Sequence, residues 1–114
     1  MAKNDNFSIA QKTITFAMLN IIVVNNIELN EQEKTADVLK VKENIYKCLV
    51  RMNSCLVSKN YEKVKEEASL EKKEYIEYKE FFESKLKTIK SRTFEDFVMV
   101  LDRVLKILDV LLSY

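Results

Sequence analysis

Residues 31–57 read EQEKTADVLKVKENIYKCLVRMNSCLV. Val38, Val41, Ile45, Cys48, Met52 and Cys55 recur along this stretch at alternating spacings of three and four. That is the seam of an amphipathic helix and not the period-two pattern of a strand. Asn30 stands before it with Glu33 three residues on, the pairing of a capping box, so the reading starts the helix at about residue 31. Its second half adds Leu49, Val50, Leu56 and Val57, which widen the apolar face.

Toward the N-terminus, Asn25 and Asn26 separate this helix from an earlier one predicted over about residues 8–24, with Ser8 or Asp5 as its cap. The earlier helix is apolar nearly all round, from Ile9 through Ile14, Phe16, Leu19 and Ile22 to Val24. Ile21 to Val24 are β-branched or aliphatic enough for a strand, but no partner strand is visible elsewhere. Toward the C-terminus, Lys59 and Asn60 make a tight link with Asn60 as cap. A third helix follows over about residues 61–90. Its seam runs Tyr61, Val64, Ala68, Tyr75, Tyr78, Phe82, Leu86 and Ile89, with Glu71 as a fault. Thr93 is the expected cap of a fourth helix over about 94–113, rich in Phe and Leu with a narrow polar strip of Glu95, Asp102, Lys106 and Asp109.

Composition supports the helical reading. The 114-residue chain has no Gly and no Pro. It therefore lacks the residues that build hairpin turns, whereas helices joined by short Asn- and Ser-containing links need neither. The expected fold is all-α, one domain over residues 1–114. Short links imply an antiparallel four-helix bundle in the order short, long, long, short. The helix two–helix three hairpin would then project beyond a core built at one end.

The same composition excludes much chemistry. There is no His and no Trp. A nucleophile triad lacks its base, a zinc site cannot be filled by two Cys alone, and di-iron Glu-x-x-His pairs are absent. Without Gly there is no phosphate-cradling loop. Cys48 and Cys55 lie seven residues apart on one helix, about 10.5 Å, too far for a bridge. They fit core thiols in a reducing, cytoplasmic compartment. We therefore expect no catalytic residues, no cofactor and no metal, and a protein that binds and does not catalyse. Residues 1–7 are polar and read as no signal peptide. The apolar run Ile14–Val24 is too short to span a bilayer, so no membrane role is expected.

Two surfaces stand out. The outer helices are more apolar than one core-facing stripe requires, and the hairpin tip carries apolar residues without evident cover. Leu49, Val50, Met52, Leu56, Val57, Tyr61 and Val64 are the candidate dimer or partner surface, and the expectation is a homodimer that holds a protein partner through this hairpin tip or through the surface of the first and fourth helices. The alternative is nucleic acid. Net charge is only +1, but residues 84–93 contain no acid while Lys85, Lys87, Lys90 and Arg92 give a local patch fit for phosphate contacts. Bundles of this size resemble bacteriocin immunity proteins and small subunits of CRISPR ribonucleoprotein complexes in layout only. No motif selects among them. The Lys-, Asn-, Ile- and Glu-rich usage suits an AT-rich genome such as that of a virus, phage or mobile element.

Overall fold

The computed structural model describes the backbone of residues 2–113 and the side chains of residues 7–113. It is all-helical, with no strand among the described residues. The helices are α1 (Ala2–Asn25), α2 (Ala36–Val57), α3 (Tyr61–Leu86) and α4 (Arg92–Leu112). Together they fill a rod of 51 × 21 × 19 Å. Helices α1 and α3 touch each other and both other helices, and they hold α2 and α4 apart.

One continuous core joins all four. Ala10, Ile14, Ala17, Ile21 and Val24 of α1 recur at helical spacing and are buried. They meet Val38, Ile45, Leu49 and Met52 of α2, Val64, Ala68, Tyr75 and Phe82 of α3, and Phe94, Phe97, Leu101, Val104, Leu108 and Leu111 of α4. At the α3–α4 end Phe82 stacks on Phe97 with ring centroids 4.5 Å apart and lies 5.2 Å from Phe94.

The lengths correct one expectation. The helices have 24, 22, 26 and 21 residues, so the order short, long, long, short does not hold. Helix α1 starts at Ala2, and Ser8 lies inside it. The side chain of Asp5 is outside the described ones. Because α1 is long, it reaches the α2–α3 link: Phe7 and Gln11 line the same surface hollow as Ser58 to Glu62. The inner side of the hairpin tip is therefore covered, with Cys55, Leu56, Val64 and Ala68 all buried, while Val57 stays exposed.

Two ends also differ from their expected places, for one shared reason. The Asn30–Glu33 box forms: Asn30 N donates to Glu33 Oε1 at 3.0 Å and Glu33 N to Asn30 Oδ1 at 2.9 Å. It closes only a single turn, and α2 starts later, at Ala36, after an extended Thr35. The second Glu33 carboxylate oxygen is turned inward and accepts a hydrogen bond from Ser91 Oγ. Ser91, and not Thr93, is the cap of α4, accepting from Phe94 N at 3.0 Å. Asn60 caps α3, accepting from Lys63 N at 3.2 Å. In a chain without Gly, the turn out of α2 falls on Lys59, at φ 56° in the left-handed region.

Candidate functional site

Among the described residues, α1 carries the most exposed large apolar side chains. Its inward positions are spent in the core, yet Phe16 is 60% exposed, Leu19 56% and Val23 68%, with Ile9 and Ile22 near 40%. Phe16, Leu19, Ile22 and Val23 span an arc of about 120° at 100° per residue. Lys12 and Thr15 are exposed within this arc, and two polar residues at its edge turn back onto their own helix. Thr13 Oγ1 donates to Ile9 O at 2.7 Å and Asn20 Nδ2 to Phe16 O at 2.8 Å. Between Phe7 and Ile27 the only charged residue is Lys12. By length and composition Phe7–Asn25, with mean hydropathy 1.6, would suffice to cross a membrane. That corrects the reading of this helix as too short, although its inner face is taken up by the core.

Beside this arc runs a groove of about 400 Å³ between α1 and α4. Leu19, Asn20, Val23 and Ile27 form one wall; Met99 and Val100 form the other. Met99 is 47% exposed. Asp96 and Arg103 stand at the α4 rim, and Arg103 leans on Met99, with Nη2 4.0 Å from Sδ. Among the described residues neither Asp96 nor Arg103 has an ion-pair partner. Asp102 and Asp109 of α4 are paired, Asp102 with Lys79 at 3.1 Å and Asp109 with Lys72, whereas Glu95, like Asp96, is in no ion pair among the described residues.

The candidate surface expected on α2 and α3 is divided by the structure. Leu49, Met52, Leu56 and Val64 are buried, the first two against Ile14, Ala17 and Ile21 of α1. They are core residues, which corrects their reading as docking surface. Tyr61 is half-buried. Val50 and Val57 are exposed and share one stripe with Leu39 and Tyr46, at spacings of seven, four and seven residues. Glu43 and Lys47 pair across i,i+4 beside that stripe.

The basic patch is divided as well. Lys85 is bound to Asp37 at 2.6 Å and lies over the Phe81 ring. Lys85 and Thr35 hold the Asp37 carboxyl well below its usual range, at about 2. Lys87, Lys90 and Arg92 remain exposed at the α3–α4 connection, and the hollow at Lys90 and Arg92 also holds Glu95 and Asp96.

A polar cluster fastens α2 to α3. Arg51 Nη2 donates to Glu74 Oε2 at 2.8 Å, and Arg51 Nε lies 3.6 Å from Glu67 and 3.9 Å from Glu71. Cys48 Sγ donates to Glu74 Oε2 at 3.0 Å, and Tyr78 OH does so at 3.2 Å. Glu71 is wholly buried and accepts from Tyr75 OH at 3.3 Å, while its Oε2 has no hydrogen-bond partner. Burial, then the adjacent Glu67, pushes the Glu71 carboxyl up to about 9 against the pull of Arg51. Burial pushes the Cys48 and Cys55 thiols up too, which disfavours the thiolate form that nucleophilic chemistry uses. No group of three or more Cys, Asp or Glu side chains among the described residues is placed to hold a metal ion.

Sequence reasoning offered the surface of the first and fourth helices as an alternative to the hairpin tip but named none of its residues, neither Asp96 and Arg103 nor the outer arc of α1. The all-round apolarity of α1 was a signal that some face would stay open, but which one depended on where α2 and α4 packed. Compared with known family models, curated proteins and solved structures, the chain matches none.

Proposed function

We propose that this chain is a non-enzymatic interaction protein, an antiparallel four-helix bundle that offers the outer face of α1 and the adjoining groove to a protein partner. One observation carries the reading. Phe16, Leu19 and Val23 are more than half exposed on one face of a helix whose only charge between Phe7 and Ile27 is Lys12. Solvent gains little from such a face, and burying it against another apolar surface is favourable by roughly 25 cal/mol per Å². The antiparallel arrangement is supported by the ion pairs: Lys72 meets Asp109 and Lys79 meets Asp102, so α3 and α4 run in opposite senses. The two free thiols fit a reducing, cytoplasmic setting. Phosphate binding has less support, because Lys85 is neutralised and acids adjoin Arg92.

The test is a photo-activatable residue placed at Phe16, Leu19 or Val23 in the chain expressed in its host. Discrete protein adducts are expected from these positions and none from the exposed Lys73 or Glu77 of α3. Equal labelling from both sets, or none from α1, would overturn the reading.

A further inference from the structure

We infer that the occupant of this face is a second copy of the chain, packed about a two-fold axis at Met99, with Asp96 of each copy against Arg103 of the other. The inference rests on the proposed function and names the partner. A two-fold interface is isologous, so its surface must complement itself: whatever stands on one side of the axis meets what stands on the other. Opposite charges at similar distances on either side of an apolar centre meet that condition, and Asp96 and Arg103 stand three and four residues from Met99. Asp96 and Arg103 are seven residues apart on α4, about 10.5 Å along one face, and bracket the exposed Met99. Neither is in an ion pair within the chain, whereas Asp102 and Asp109 are bound to lysines of α3. The α1 wall beside them brings Leu19 and Val23 and no charge. Rotation about Met99 therefore sets apolar surface on apolar surface and places two opposite-charge pairs at the rim, which fix register and exclude the parallel arrangement.

Sedimentation equilibrium of charge variants tests this on the full chain, with circular dichroism confirming that each stays helical. The parent should dimerise at tens of micromolar. Asp96→Lys or Arg103→Glu alone should weaken dimerisation by about tenfold or more, because each creates two like-charge contacts. An equimolar mixture of the two variants, and the double variant D96K/R103E, should recover association. A parent that stays monomeric while photo-adducts persist at Phe16 would overturn the second copy and leave the interaction reading standing. A dimer indifferent to the single variants, or not rescued by mixing, would overturn the register. Sedimentation of a monomeric parent with phosphatidylcholine–phosphatidylglycerol vesicles, abolished by Phe16→Ser, would overturn it in favour of a lipid surface. No adducts from α1 would remove both the function and the inference.

Discussion

Glu71 occupies a position where helix periodicity calls for an apolar side chain, and it is wholly buried there. An ionised carboxylate in that place would be costly, with Oε2 unbonded and Glu67 adjacent. The proton is the cheaper solution. Unfolded, the group ionises near its ordinary 4.5; folded, only near 9. Between those values the folded state keeps a proton that the unfolded state has lost. Stability from this group is therefore complete below pH 4.5 and falls as pH rises toward 9, by at most about 1.4 kcal/mol per unit. Arg51 and Cys48 from α2, with Glu67, Glu74, Tyr75 and Tyr78 from α3, are the groups that surround or adjoin it. Glu71→Gln keeps the shape and cannot ionise. Urea denaturation should show the parent and the variant within about 1 kcal/mol at pH 5, with the variant increasingly the more stable toward pH 9. Parallel stability curves over that range would mean Glu71 is ionised in the fold. Along the chain Glu71 is legible only as a fault in a seam. Its relation to Arg51 depends on how α2 and α3 register, which no local spacing specifies.

At the scale of helices, the four segments and their core faces are plain in the spacing of apolar residues, because a helix must bury one stripe. The ends are less plain, since they depend on contacts between distant links. Asn30 and Glu33 announce a helix start, yet they close one isolated turn, and the Glu33 side chain continues to Ser91, 58 residues away. Thr93 has the same chemistry as Ser91, so residue type alone could not choose between them. Position chose: Ser91 is buried at the bundle end, where its hydroxyl donates to Glu33 and accepts from Phe94 N. Ser91→Ala removes the cap and leaves the buried Glu33 oxygen without its donor. Each loss costs about 1 kcal/mol or somewhat more, so a destabilisation of roughly 2 kcal/mol is expected in chemical denaturation. Thr93→Ala, the control, should change stability by no more than about 0.5 kcal/mol. The reverse order would restore Thr93 as the cap.

At the scale of the whole molecule, four helices of similar length give α1 an inner stripe for the core and an outer arc with nothing to cover it. The total apolarity of α1 was readable in the sequence as an excess; that Leu56 and Val64 at the α2–α3 tip are buried while Val57 stays exposed follows from α1 extending far enough to cover one side of that tip. The consequence is thermodynamic. Phe16 is 60% exposed in the single chain, so Phe16→Ser removes little that an isolated copy uses for stability. If two copies share the face, folding is linked to association, and apparent stability must rise with concentration by mass action. A tenfold rise in concentration adds about 1.4 kcal/mol per dimer, or a Tm shift of a few degrees for a chain of this size. Calorimetry at 10-fold different concentrations, about 10 and 100 μM, should show that shift in the parent and none in Phe16→Ser, with the two Tm values converging on dilution. A parent Tm independent of concentration would show that folding draws nothing from a second copy. A Tm for Phe16→Ser that stays low at every concentration would place Phe16 in the fold of the single chain, contrary to its exposure.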